Sequence, residues 1–168
     1  MPVRIAPARS EDCGTVFALI RALAEYERLS HLVVGSEDDL RNELFGAYPV
    51  IESVLAWDGD TAVGFALFFH NYSTFLARRG LYLEDLFVVP EARGRGIGKA
   101  LITHCAGVAV SRGCGRFEWS VLDWNEPAIA FYRSLGAELL PDWRICRLTG
   151  ESLQRFGDAA TASRAPTP

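Results

Sequence analysis

Three glycines alternate with charged and apolar residues in Arg93-Gly94-Arg95-Gly96-Ile97-Gly98-Lys99, directly after an apolar run and directly before a helical pattern. Without Cβ atoms in the way, successive backbone N–H groups there can face one direction, backed by the positive end of a helix dipole. Arg93, Arg95 and Lys99 sit at that positive end, where like charge costs roughly 0.3–1 kcal/mol each, a conflict that an anion relieves. The segment is shaped for a phosphate or pyrophosphate; the plainer alternative is a glycine turn on a solvated basic face. Spacing rejects two common phosphate loops. A P-loop requires four residues between its glycines and Ser or Thr after the lysine, whereas three residues separate Gly94 from Gly98 and Ala100 follows Lys99. A dinucleotide fingerprint needs a glycine where Lys99 stands.

Just upstream, Glu84 and Asp85 interrupt the apolar run "LYLEDLFVV". Side chains alternate along a strand, so the two carboxylates point to opposite faces unless a bulge intervenes. At least one then enters a covered face or cleft, where an unpaired charge is expensive. Carboxylates in such a place serve as general bases or cation ligands, or else pair with an arginine. Downstream, Tyr132 follows Asn125-Glu126-Pro127-Ala128. Its phenol, with a pKa of ~10, suits a general acid, although a tyrosine there also fits a packed amphipathic helix.

The elements that position these residues are legible from pattern. "VRIAPA" reads as a first strand, and Ser10 as the N-cap of a helix carrying Val16, Leu19, Ile20 and Leu23 at helical spacing and ending near "AEYERLS". Ser36 and Asp39 make a capping box for a short helix that Gly46 stops. "VIESVLAW" and "AVGFALFF" flank an Asp-Gly pair, which predicts an antiparallel hairpin. "LYLEDLFVV" is the next strand, then a helix from Ile97, a strand "RFEWSVL", a helix from Asn125 to Gly136, a last strand "WRICRL" and a short helix "GESLQRF". This order predicts an α/β class, a central mixed twisted sheet with helices on both faces, because a strand, a helix and then a parallel strand require a crossover. One domain over residues 3–156 is expected, followed by a mobile tail at 157–168.

Composition excludes several classes. A length of 168 residues fits one domain, and a net charge of −4 argues against a general nucleic-acid binder. A cationic partner suits the chain better. Cys13, Cys105, Cys114 and Cys146 form no C-x-x-C pair and the histidines are scattered, so neither a metal site nor a disulfide framework is indicated. The N-terminus lacks an apolar signal-like core, and no apolar run approaches the ~18 residues of a membrane span. A cytoplasmic protein with no membrane partner is expected.

The segment Arg93 to Gly98 resembles the pyrophosphate-binding loop of the GCN5-related N-acetyltransferase (GNAT) family. "LAEYE", "LYLEDLFVVPEARGRGIG" and "WNEPAIAFYRSLGA" are similar to its diamine (spermidine/spermine) N-acetyltransferase branch, over roughly residues 3–150. The resemblance implies the GNAT fold, acetyl-CoA as co-substrate and acetyl transfer to a primary amine by direct attack in a ternary complex. It implies that Glu84 contacts the amine and helps deprotonate it, and that Tyr132 protonates the coenzyme A thiolate. Cofactor contacts follow at the backbone of Leu86, Phe87 and Val88, where an N–H could hold the thioester oxygen, at Arg93 through Lys99, and at Asn125, Glu126, Pro127 and Ala128. Asn125 is compatible with an N-cap as well. Tyr26 and Glu27 match the substrate-contacting pair, and Asp85 joins them; Glu118, Trp119 and Ser120 are assigned by position only, and Asp142 by its place beside Trp143. A homodimer is implied too.

One departure bears on the substrate. After Tyr26-Glu27 the polyamine enzymes continue with more acids, whereas this chain has Arg28, Leu29 and Ser30. A weaker negative lining favours a shorter or singly charged amine, since each further ammonium needs its own desolvated partner. Polyamine and lysine-like amines such as thialysine both remain open. So do a protein lysine or N-terminus, and a non-catalytic acetyl-CoA-binding module.

Overall fold

The computed structural model describes residues 3–162, grouped into two compact units, one up to Ser120 and one from Val121. In the first, β1 (Arg4–Pro7), β2 (Glu52–Asp58), β3 (Thr61–Ser73), β4 (Arg78–Val88) and β5 (Phe117–Trp119) form one sheet in the order β1-β2-β3-β4-β5. The neighbours from β1 to β4 run antiparallel and β4–β5 is parallel, which makes the sheet mixed as the element order requires. The crossover for that parallel step is α3 (Ile97–Ser111).

Helices cover both faces. On one, α1 (Cys13–Tyr26) sets Val16 and Leu19 against Leu55, Phe65, Leu67 and Phe87. On the other, α3 packs on β2, β3 and β4 with Leu101 and Cys105 fully buried. Residues such as Leu55 and Phe65 are wholly removed from water, each worth about 1.5–3 kcal/mol of transfer free energy. The helix α2 (Glu37–Phe45) starts at the expected capping box: Ser36 N–H donates to Asp39 Oδ2 at 2.8 Å, and Asp39 N–H donates to Ser36 Oγ at 3.2 Å.

Four expectations are corrected. Ser10 is not the N-cap of α1; it opens a 3-10 turn, Ser10–Asp12, capped at Arg9, whose N–H donates to Asp12 Oδ2 at 2.8 Å. The strand "RFEWSVL" shortens to Phe117–Trp119, the stretch that finds a partner in Leu81–Leu83. "WRICRL" forms no strand. Its alternating pattern supplies two faces, but a strand also needs a neighbouring backbone, and Trp143, Ile145 and Leu148 stand exposed. In the second unit α4 (Glu126–Ser134) is followed by α5 (Gly150–Ala162), which continues past Phe156 into the segment expected to be a mobile tail. The remainder of that tail, 163–168, lies outside the described residues.

Candidate active site

The two acids of β4 are placed by a break in the sheet register. Leu83 pairs with Phe68 and Asp85 pairs with Leu67, so Glu84 is an extra residue opposite no partner. Such a bulge cancels the strict alternation that would send the two carboxylates to opposite faces. Asp85 shares the face of its partner Leu67 and of Phe87, the face packed by α1, and is half-buried, while Glu84 is exposed. Glu27, half-buried, caps the C-terminus of α1 on that same side, close enough for its charge to act on Asp85. Burial above all, then the charges of Glu84 and Glu27, pushes the Asp85 carboxyl up to about 7. Burial also raises Glu27 above the ordinary carboxylate range. Among the described residues none of these three carboxylates has a hydrogen bond or ion pair. The expected grouping of Glu27, Glu84 and Asp85 is thus a concentration of negative charge without a protein cation paired to it.

The glycine-rich loop begins where β4 ends. Gly94 and Gly96 have φ of 77° and 78°, in the left-handed region, and a Cβ on either would meet no atom within 4 Å. What demands glycine here is therefore the backbone conformation, and the space beside it is open. Gly96 is the N-cap of α3, and the first intrahelical bond is Ala100 N–H to the Gly96 carbonyl at 3.0 Å. The amides of Ile97, Gly98 and Lys99 precede that bond and have no intrahelical partner, which leaves them able to donate to an anion. Amides, glycines and open space fit a pyrophosphate.

The two arginines of the loop are engaged elsewhere. Arg93 Nε–H donates to the Val88 carbonyl at 2.9 Å, and its guanidinium carbon lies 4.4 Å from the centre of the Tyr26 ring and 5.6 Å from that of Phe87. Arg95 pairs with Asp58 at 2.7 Å, which holds the Asp58 carboxyl below its usual range. Lys99 is exposed. Arg93 and Tyr26 thereby tie the glycine-rich loop to the end of α1 that carries Glu27. From the bulge onward, β4 has no strand on its β5 side among the described residues, because β5 pairs only with Leu81–Leu83. The backbone of Leu86 and Phe87 is accordingly paired only to β3, at Ala66 and Phe65.

The residues assigned to the strand after α3 have other partners, and Ser120 lies just past the end of β5. Glu118 accepts from Asn71 Nδ2 at 2.6 Å and pairs with Arg116 at 3.2 Å; Ser120 Oγ lies 2.8 Å from the Tyr82 hydroxyl; the Trp119 ring is 5.0 Å from that of Phe117. Sequence reasoning passed over Asn71, Tyr82 and Asp58. Of these only Asp58 had a readable cue, an acid at the turn of the Asp-Gly hairpin. An open groove of about 550 Å³ runs beside α1 and the chain after it, lined by Phe17, Arg21, Glu25, Ser30 and Glu37 among others, and holds none of the assigned residues.

In the second unit, Asn125 is buried and caps α4, accepting from Ala128 N–H at 3.3 Å. Glu126 and Pro127 are exposed in its first turn, and Ala128 is half-buried. Tyr132 is half-buried on α4, its ring 5.3 Å from that of Phe131. Asp142 is exposed in the irregular stretch after α4.

The mixed sheet with a glycine loop opening α3 agrees with the fold of the acetyltransferase (GNAT) family. Residues 15–137 match the model of the acetyltransferase (GNAT) family. The thialysine N-epsilon-acetyltransferase of Mus musculus is 41% identical over 164 residues, covering 91% of this chain and 96% of the relative. The L-ornithine N5-acetyltransferase of Arabidopsis thaliana is 35% identical, covering 90% of this chain and 86% of the relative. An integron cassette protein from the mobile metagenome of V. cholerae superposes with a TM-score of 0.79 at 29% identity, covering 94% of this chain and 98% of the other. The chain belongs to the GNAT family of N-acetyltransferases. No helix among the described residues is long and apolar enough to cross a membrane.

Proposed function

We propose that this enzyme transfers acetyl from acetyl-CoA to the primary amine of a small, lysine-like amino acid, by direct attack in a ternary complex. The observation that carries the reading is the convergence of Glu27, Glu84 and Asp85 without a protein cation, beside a loop whose amides suit a pyrophosphate. The relatives named for thialysine and ornithine support an amino-acid substrate. Arg28, exposed and next to Glu27, adds a positive charge where a long polyamine would need a negative one for its next ammonium.

Acetyl-CoA supplies an activated acyl group with a thiol leaving group. The amides of Ile97, Gly98 and Lys99 would hold its pyrophosphate, and Arg93 and Arg95 would join them on leaving Val88 and Asp58. The backbone of Leu86, Phe87 and Val88 would hold its arm, and the start of α4, Asn125 to Ala128, is assigned to the same arm from the family resemblance alone. Glu84 and Glu27 hold the substrate ammonium, whose proton must leave before the nitrogen can attack; with a pKa of ~10.4 that costs about 4–5 kcal/mol at neutral pH. Tyr132 would give its phenolic proton to the departing thiolate and take one back from solvent. The same reading includes pairing into a homodimer, which sedimentation at micromolar concentration checks.

Incubation with acetyl-CoA and an equimolar mixture of thialysine, ornithine, lysine, spermidine and a lysine peptide, with products identified by mass spectrometry, tests the assignment. Acetylated thialysine or ornithine as the main product is expected. Acetylated peptide in excess, or acetyl-CoA binding with no acetylated amine, refutes it.

A further inference from the structure

The face of the sheet that carries Asp85 continues past the bulge. Alternation beyond Leu67 puts Phe69 and Asn71 of β3 on it, with Tyr82 and Gly80 of β4 opposite them and Glu118 of β5 beside Tyr82. The helix α1 packs on this face at Leu67 and Phe87; Phe69 and Tyr82 are half-buried, their ring centres 5.2 Å apart. A shelf with an aromatic floor thus runs from the acids of the bulge toward Asn71. Charged groups are fixed on it. Asn71 Nδ2–H donates to Glu118 Oε1 at 2.6 Å, reaching from β3 to β5 across Gly80, where a Cβ would collide with Asn71 Oδ1. Arg116 crosses the same glycine, its Cγ 3.0 Å from the place of that Cβ; its Nη2 pairs with Glu118 Oε1 at 3.2 Å and donates to the Tyr72 carbonyl at 3.3 Å. Asn71 Oδ1 is left buried without a partner, which costs about 1–3 kcal/mol, so holding Glu118 in place is achieved at a loss to the fold. Glu118 Oε2 has no partner among the described residues, and neither have Nη1 and Nε of Arg116. Beside them the Tyr82 hydroxyl and Ser120 Oγ lie 2.8 Å apart. One hydrogen bridges those two oxygens, so the other hydroxyl has a hydrogen to donate outward.

We propose that the Glu118–Arg116 pair, with the hydroxyls of Tyr82 and Ser120, is the subsite for the α-ammonium and α-carboxylate of an amino-acid substrate, and so sets its preference over a polyamine. This rests on the amine-acetylating function proposed above. The carboxylate and the guanidinium cancel in charge while each keeps unused hydrogen-bonding atoms, which is the complement of a zwitterion: the α-ammonium donates to Glu118 Oε2, and the α-carboxylate accepts from Arg116 and from a hydroxyl. The spacing agrees. Tyr82 stands ~6–7 Å along β4 from Glu84, at ~3.3 Å per residue. A lysine-like amino acid spans about 6 Å from its terminal nitrogen to its α-carbon, across extended single bonds of ~1.5 Å. The reacting amine therefore reaches the bulge while the head group rests on the shelf. A polyamine's second ammonium finds Glu118 but meets Arg116 as a like charge. Asn71 is a positioning residue, since it orients Glu118 and touches no substrate.

The test measures kcat/KM with acetyl-CoA for lysine, cadaverine (no carboxylate), 6-aminohexanoate (no α-ammonium) and pentylamine (neither), in the wild type, Glu118→Gln, Arg116→Gln and Asn71→Ala. The wild type is expected to favour lysine over pentylamine by ~100-fold, about ten-fold for each charged contact. Glu118→Gln is expected to lose about ten-fold on lysine relative to 6-aminohexanoate, and Arg116→Gln about ten-fold on lysine relative to cadaverine. Asn71→Ala should show the Glu118→Gln pattern in weaker form, in KM and not in kcat. Equal losses on all four amines in each variant, the outcome for a cluster that only ties β5 to its neighbours, overturn the subsite. So does a wild type that acetylates pentylamine or cadaverine as well as lysine. Either result leaves the acetyltransferase function standing. A wild type that acetylates none of the four amines refutes the proposed function itself, and the subsite with it.

Discussion

Replacing Asp85 with asparagine should stabilise the protein, and by an amount that grows with pH. The folded chain binds the Asp85 proton more tightly than the unfolded chain, since burial and two like charges raise its pKa from 3.8 to about 7. Below about pH 4 both states carry the proton and the residue is neutral in effect. Between pH 4 and 7 only the folded state carries it, so stability falls as pH rises; above 7 both states are ionised and the loss is complete. At about 1.4 kcal/mol per unit the full loss is about 4 kcal/mol, of which more than a third has already gone by pH 5. Asparagine suffers no such loss. The advantage of Asp85→Asn over wild type should therefore increase by up to about 2–3 kcal/mol between pH 5 and pH 8, an upper value because water reaches part of the carboxyl. In a chain of this size that corresponds to about 5–10 °C in Tm. Urea unfolding of both proteins at the two pH values measures it. An equal difference at both, or a variant less stable than wild type at pH 8, would refute the account of Asp85 as a carboxyl desolvated for function at the expense of the fold.

Other perturbations test neighbouring parts of the site. Gly96→Ala forces a Cβ into the left-handed region at the N-cap of α3, costing about 1–2 kcal/mol and raising the KM for acetyl-CoA roughly ten-fold, with that for the amine little changed. Arg28 occupies the position after the α1 cap with φ of 62°, where its neighbour Leu29 N–H bonds the Ala24 carbonyl, a geometry that favours glycine; Arg28→Gly should raise Tm by about 2–4 °C. Asp58→Asn releases Arg95 and should tighten acetyl-CoA binding about two-fold by calorimetry, an effect that disappears at high salt. Tyr132→Phe should lower kcat by ~10²-fold or more with both KM values retained, and a wild-type rate would remove Tyr132 from the mechanism.

Local chemistry made much of the fold readable. The capping box at Ser36 and Asp39 and the Asp-Gly hairpin after Asp58 are each determined within a few residues, and each stands where its pattern placed it. The bulge at Glu84 was not readable in that way. It is a property of the pairing between β3 and β4, not of either strand, and the sequence around it shows only two adjacent acids. The same limit explains the missing strand at Trp143 to Leu148, whose alternation says nothing about whether a neighbouring backbone is present. In the site, residue types indicated an anion loop and nearby acids. That Arg93 lies on Tyr26 and Arg95 on Asp58 depends on contacts between segments distant in sequence, which spacing does not encode.

The central claim is that this enzyme acetylates a small, lysine-like amine. Steady-state thiol release from acetyl-CoA, measured side by side with thialysine, ornithine, lysine, putrescine, spermidine, spermine and a lysine peptide, tests it most directly. The highest kcat/KM is expected for thialysine or ornithine, at least ten-fold above spermine. A preference for spermidine or spermine, or for the peptide, would contradict it.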